Sequence, residues 1–370
     1  MNANAEQLAN NPDEITQAEV DARVDQLVRR TIERNIPGLA DLPQTESELE
    51  VGTSPKELVF SKDTARLYHY DSMVDEVYRV PILIIMSPVA KGYILDLAKG
   101  QSFVEYFLSK GHDVYMLDWH APRANQSGLG LANYVQDLVG ECVEKVVEDS
   151  GEPDITLVGY CMGGLLSVCY AALNPDGPVK NLACFTTPIN SDGMTLHQRW
   201  VRSESFDIDT LVDELGNIPT ELINASMQAL RPLQRNANQL TLLNNVQNDE
   251  FVKAHMRFER WAADQIPLPG ALAKDWTNSF LKDNLLVKNE LELHGKRVDF
   301  SNIKMPFLHV AASFDHIIPE GASKDLINLV SSEDKEEIVV RGGHVSLVAG
   351  GNAMYRLWPK LDEWVGERAE

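Results

Sequence analysis

From about Glu57 onward the chain alternates between short apolar runs and longer stretches with helical spacing. Leu58–Phe60 and Ala65–Tyr70, with charged residues between them, predict an antiparallel hairpin at a sheet edge. Ile82–Met86, Val114–Leu117, Ile155–Val158, Leu182–Phe185, Phe307–Ala311 and Ile338–Val340 are continuously apolar rather than alternating. A parallel strand buried on both faces requires that pattern. Helical stretches such as Ser102–Lys110 and Ala132–Glu148 separate them, so a doubly wound, mostly parallel α/β sheet is expected over residues 56–187 and 301–370. Residues 188–300 break the rhythm. They hold helix-forming residues punctuated by Pro219, Pro232, Pro267 and Pro269, which predicts a largely helical cap lying over the strand ends, where such sheets bind ligands.

Residues 1–55 are polar and acidic by comparison. Thr16 and Glu19 have the spacing of a capping box, and Val20, Val24, Leu27, Val28 and Ile32 follow at helical intervals up to Pro37-Gly38. One amphipathic helix is predicted, whose stripe either covers its own core or docks another subunit.

Charge and cysteine usage narrow the function. With 33 basic and 55 acidic side chains the net charge is −22, which disfavours nucleic acid as a partner and requires a local basic pocket for any anionic ligand. No apolar run approaches the roughly 20 residues that span a bilayer, and the first 15 residues are polar, so a cytoplasmic chain without a cleaved leader is expected. Cys142, Cys161, Cys169 and Cys184 show no CxxC pairing and are expected to be reduced thiols.

Candidate chemistry begins at Gly159-Tyr160-Cys161-Met162-Gly163-Gly164, directly after a predicted strand and before a predicted helix, Leu165–Leu173. This is the nucleophile-elbow pattern, in which flanking glycines permit a sharp turn that exposes the central side chain. The positive end of the following helix favours a thiolate there. An elbow of this kind calls for an acid and then a histidine in later loops at the same sheet edge. Asp315 follows the strand Phe307–Ala311, and His344 follows Ile338–Val340. His316 adjoins the acid and could orient it, contact substrate or pack the loop. Oxyanion stabilisation is expected from the backbone N–H of Met162 and one from the loop Pro88–Lys91, either Val89 or Ala90. Cys142, Cys169 and Cys184 read as small core residues. No metal or cofactor is called for.

These motifs resemble the polyhydroxyalkanoate synthases, of the α/β-hydrolase superfamily. The similarity takes in the thiol elbow, Asp315-His316-Ile317-Ile318-Pro319, Tyr93-Ile94-Leu95-Asp96-Leu97, Gly111-His112-Asp113-Val114-Tyr115 and Asp118-Trp119. It continues through Leu268-Pro269-Gly270 with Trp276, Asn284-Leu285, Val298-Asp299 and Gly343-His344, and so covers about residues 57–365. The resemblance implies polymerisation of (R)-3-hydroxyacyl-CoA, such as 3-hydroxybutyryl-CoA, onto a growing polyester with release of CoA, by a Cys-His-Asp site under a mobile cap. The short chain is similar to class III and IV catalytic subunits, which implies a second, smaller subunit, with a homodimer as the other assembly and the polymer granule surface as a place of action. One departure is Ala90-Lys91, where family members often carry Asn before the Lys; a backbone donor survives that change and a side-chain contact does not. Two rival readings are a cysteine hydrolase, dienelactone hydrolase-like or an acyl-CoA thioesterase, and a non-catalytic granule protein.

Overall fold

The computed structural model describes residues 49–232 and 234–369. The predicted N-terminal helix and its apolar stripe lie outside the described residues. By contact density the chain forms two compact units, Met1–Leu49 with Arg235–Met256, and Glu50–Gln234 with Arg257–Glu370. In the first, the described residues form the helix Gln234–Asn244 and the start of the helix Asp249–Ala263.

The second unit is built on an eight-stranded sheet. Its strands are β1 (Lys56–Lys62), β2 (Ala65–Tyr70), β3 (Ile82–Ile85), β4 (Val114–Trp119), β5 (Ile155–Tyr160), β6 (Val179–Phe185), β9 (Phe307–Ala312) and β10 (Lys335–Val340). A separate two-stranded ribbon, β7 (Glu292–Leu293) and β8 (Lys296–Arg297), precedes β9. The order across the large sheet is β1-β2-β4-β3-β5-β6-β9-β10. The β1–β2 and β2–β4 pairs are antiparallel, and every pair from β4 to β10 is parallel. The sequence pattern tracks this arrangement. Strands β3, β5 and β9 are buried at every position, whereas β1 and β10 at the two edges carry exposed charged residues that blunt unpaired backbone.

Helices pack against the sheet. The helix Phe103–Ser109 starts at Ser102, whose Oγ accepts from the Glu105 N–H at 2.9 Å. The predicted Ala132–Glu148 helix is two segments, a wider π-type turn at Asn133–Val139 running into Gly140–Ser150. The helix after β5 begins at Met162, three residues earlier than the sequence pattern suggests, because the glycines that favour a turn are absorbed into its first turn.

Between β6 and β9 the chain forms short helices, among them Thr195–Val201, Ile208–Leu215, Thr220–Leu230 and Gly270–Asp275, with a π-type segment at Trp276–Lys282. Among the described residues, extended pairing there is limited to the β7–β8 ribbon and to the antiparallel bridges Ile218–Leu268 and Ala90–Gln265. No helix among the described residues is long and apolar enough to cross a membrane.

Candidate active site

The elbow is set by backbone strain and close packing. Cys161 has φ +57° and ψ −122°, a conformation that a non-glycine residue adopts only when its surroundings impose it. Its N–H donates to the Phe185 carbonyl at 2.9 Å, and its own carbonyl accepts from Gly164 and Leu165 at 2.9 and 3.2 Å. Neighbouring glycines let the crossing elements approach. A Cβ on Gly163 would lie 2.1 Å from the Ile85 carbonyl oxygen, and one on Gly159 would lie 2.5 Å from the Gly164 Cα. Any larger residue at either position would push the elbow off the sheet. The thiol thereby stands at the C-terminal ends of the parallel strands, above the first turn of the helix Met162–Leu173.

The acid and histidine loops meet it there. The Phe314 N–H donates to the Gly342 carbonyl at 2.9 Å and the Ser313 N–H to Val340 at 3.0 Å, which joins the loop after β9 to the loop after β10. Asp315 is buried, and every oxygen it carries is engaged. Oδ2 lies 2.6 Å from His344 Nδ1, and Oδ1 accepts from the N–H groups of Ile317 and Ile318 at 2.9 and 2.8 Å. With Nδ1 committed to Asp315, the imidazole of His344 is also acted on by the nearby Cys161 sulfur. Burial opposes charge on this ring, but the Asp315 carboxylate and the Cys161 sulfur, by charge and hydrogen bond, outweigh it and push the His344 pKa up to about 10. Tyr160 underlies the pair; its ring packs on His344 with centroids 5.1 Å apart, and its hydroxyl donates to the His344 carbonyl at 3.4 Å. Burial holds that phenol well above its ordinary pKa, so it stays a donor.

An apolar cavity of about 330 Å³ opens onto the thiol. Its floor is core: Ser87, Val89, Cys161, Met162, Ile317 and Ile318. Its walls come from the insertion, including Met194, Trp200, Phe206, Ile223, Leu268 and Trp276. Polar walls are few; one is His197, whose pKa burial lowers and which packs edge-on against Trp200.

Sequence-predicted residues thus divide. Cys161, Asp315 and His344 come together at one sheet edge, with Met162 and Val89 beside the thiol in the cavity floor. As the first helical residue, Met162 has an N–H without an i−4 partner in its helix. Ala90 instead donates its N–H to the Ser87 carbonyl at 3.1 Å, closing the turn Ser87-Pro88-Val89-Ala90. His316 is half-buried next to Asp315; burial and the positive charge of Arg231 lower its pKa, and its Nδ1 has no hydrogen-bond partner among the described residues. Its neighbours Ile317 and Ile318 are the ones that line the cavity. Cys142, Cys169 and Cys184 are buried, and desolvation raises the pKa of all three thiols, that of Cys184 to about 12.

Sequence reasoning missed the cavity walls, because short cap helices expose no long hydrophobic period. It named Asp118-Trp119 only as part of the family resemblance and Trp261 not at all, yet these three hold the loop after β3 by hydrogen bonds from Trp119 Nε1 to the Met86 carbonyl (2.7 Å), from the Gly92 N–H to Asp118 Oδ1 (2.9 Å) and from Trp261 Nε1 to the Lys91 carbonyl (2.9 Å). The available signal was Asp118-Trp119 at the end of a buried strand, an acidic and an indole group that both need partners there.

The α/β hydrolase fold profile matches residues 96–350, and the profile of the poly-beta-hydroxybutyrate polymerase (PhaC) N-terminus matches residues 25–107. Among solved structures, a soluble variant of the Saccharomyces cerevisiae monoglyceride lipase superposes with a TM-score of 0.54 at 14% identity, over 86% of this chain and 97% of that one, a likeness of fold. The poly(3-hydroxyalkanoate) polymerase subunit PhaC of Haloferax mediterranei is 37% identical over 90% of this chain and 68% of its own. The subunit of the same name from Allochromatium vinosum is 32% identical over 94% of this chain and 99% of its own, and that from Synechocystis 31% identical over 91% of each. Identity at this level along nearly the whole of both chains, on the strand order and elbow described above, places the protein in the poly(3-hydroxyalkanoate) polymerase subunit PhaC family of the α/β-hydrolase fold.

Proposed function

We propose that the chain is a polyhydroxyalkanoate synthase catalytic subunit, an acyltransferase that polymerises (R)-3-hydroxyacyl-CoA through a covalent thioester on Cys161. The observation that carries this reading is a thiol at the floor of an apolar cavity beside a histidine bonded to a fully engaged carboxylate. In acylation the Cys161 sulfur, its proton held by His344, attacks the thioester carbonyl carbon, the bond to the CoA sulfur breaks, and the CoA thiolate leaves with that electron pair and takes the proton from His344, which is left neutral. The exchange of one thioester for another is nearly balanced in energy, so the acyl group stays activated. The 3-hydroxyl oxygen of a second unit then attacks the Cys161 thioester, its proton passes to His344, and the Cys161 sulfur leaves with the electron pair of the broken bond.

Asp315 makes three hydrogen bonds, which supports a role in orienting His344 rather than in taking the hydroxyl proton itself. For the oxyanion, Met162 and Val89 supply backbone N–H groups; Ala90 is the weaker candidate because its N–H already serves the turn. The apolar walls exclude water, which protects the acyl-enzyme from hydrolysis and gives the insertion, residues 188–300, its role as a lid over Cys161. Relatives named as polymerase subunits support a second component for this chain, a small partner or a second copy, working at the polymer surface. The predicted stripe Val20, Val24, Leu27, Val28 and Ile32 is a candidate docking face.

The test is 3-hydroxybutyryl-CoA turnover with CoA, polymer and free acid quantified together. Polymer matching CoA release supports the reading; free acid as the main product replaces it with a thioesterase. Deletion of residues 1–40 should weaken assembly and activity with the core melting temperature little changed.

A further inference from the structure

The loop between β3 and Gly92 is gripped from two sides. From the core, Trp119 Nε1–H donates to the Met86 carbonyl and Asp118 Oδ1 accepts from the Gly92 N–H. From the insertion, the Ile266 N–H donates to the Val89 carbonyl at 2.9 Å, Gln265 forms a β-bridge with Ala90, and Trp261 Nε1–H donates to the Lys91 carbonyl at 2.9 Å. Two peptide planes are thereby fixed at both ends. The Val89–Ala90 plane is held by Ile266 at its oxygen and by the Ser87 carbonyl at its N–H; the Lys91–Gly92 plane is held by Trp261 at its oxygen and by Asp118 at its N–H. The direction of the Val89 N–H follows from the planes around it, because each residue of the loop has only two free dihedrals.

We propose that Trp261 is a positioning residue for acylation: through the Lys91 carbonyl it makes the oxyanion donor at Val89 correct only while the insertion is seated on the core. Thioester attack is then coupled to closure of the site against water. Trp261 is well placed for this, being 7% exposed and near the C-terminal end of the helix Asp249–Ala263. Its ring fills space while its N–H makes the contact. Ser87 and Ala90 pack into the core, but apart from the contacts with the insertion the backbone hydrogen bond between Met86 and Lys91 is that of the turn itself, Ala90 to Ser87. The inference rests on Cys161 being the acylated nucleophile.

The deciding experiment uses the full chain and the 3-hydroxybutyryl thioester of N-acetylcysteamine, with the first acylation of Cys161 followed by protein mass and, separately, alkylation of Cys161 by iodoacetamide. Alkylation needs the thiolate and no oxyanion donor. Trp261→Phe keeps the ring and removes the N–H. The acylation rate should fall by about tenfold or more, within the roughly 10–100-fold range expected when an oxyanion donor is misplaced, with KM changed less than twofold and alkylation unchanged. A smaller fall, or a parallel loss of alkylation, overturns the proposal. Should Trp261→Phe fail to fold, Ile266→Pro removes the other donor from the insertion and decides by the same criteria. A wild-type chain that is acylated but yields only free acid refutes the polymerase reading while the role of Trp261 is still read from the acylation rate.

Discussion

The floor and the walls of the cavity are built on different principles. The floor is backbone-determined: Cys161 is held by a strained elbow, Asp315 by two backbone N–H groups, and His344 by Asp315 and Tyr160, all at the ends of parallel strands. The walls are side-chain-determined, a set of Trp, Met, Phe, Ile and Leu residues on short helices with little polar surface. A strand end fixes the position of a reacting atom because its neighbours on both sides are hydrogen-bonded; a short helix presents bulk and tolerates exchange of one apolar group for another. On the proposed function, chemistry belongs to the floor and selection of the acyl group to the walls.

The largest effect expected from that division is at the nucleophile. Cys161→Ala should abolish acylation and polymer formation, a loss of about 10⁴-fold or more, with the fold intact by circular dichroism. Retention of a tenth of the activity would move the chemistry elsewhere. Cys161→Ser should be nearly as damaging, since a hydroxyl is much less ionised than a thiol.

Next come the two supporting residues, which separate by step. His344→Ala should remove the first CoA release by several orders of magnitude, whereas Asp315→Asn should retain slow release, down by about 10²–10⁴-fold. Single-turnover CoA release distinguishes them. Equal loss in both variants would mean that the carboxylate is needed as a charge from the first step.

Wall substitutions should do less and do it differently. Ile223→Trp, filling the cavity, should leave the acylation rate for a short acyl group within about threefold but raise KM for longer ones by about tenfold, the worth of one or two lost methylene sites. A uniform drop in kcat for all chain lengths would show that the walls carry chemistry after all.

The smallest effect concerns pH. A folded-state His344 pKa of about 10, above the ordinary value near 6.5, contributes stability that is complete below about pH 6.5 and is lost as pH rises through 10. The stability advantage of the wild type over His344→Gln should accordingly shrink between pH 7 and pH 10.5 in urea melts. An advantage that grew with pH would contradict the paired imidazolium.

The same division explains what the sequence made legible. Continuous apolar runs marked the buried strands because both faces need cover, and the elbow and its two partner loops were readable because each sits immediately after such a run. The bounds moved by a few residues where charged positions extend a strand, as at Lys335–Glu337 on the exposed edge β10. Most wall residues had no comparable mark: Trp200 and Ile223 are apolar residues on different short elements, and only folding of the insertion places them around one space. Nor could spacing reveal Trp261 donating to Lys91, 170 positions away. The proposed preference for Val89 over Ala90 rests on the turn hydrogen bond, which depends on backbone direction rather than residue type.

The central claim is a covalent acyl group on Cys161, and trapping it is the most direct test. Full-length protein mixed briefly with 3-hydroxybutyryl-CoA, quenched in acid and digested should show the acyl mass on the peptide that contains Cys161, in amounts matching the CoA released and absent from Cys161→Ala. An acyl group on Cys142, Cys169 or Cys184, or CoA release undiminished in Cys161→Ala, would contradict the account.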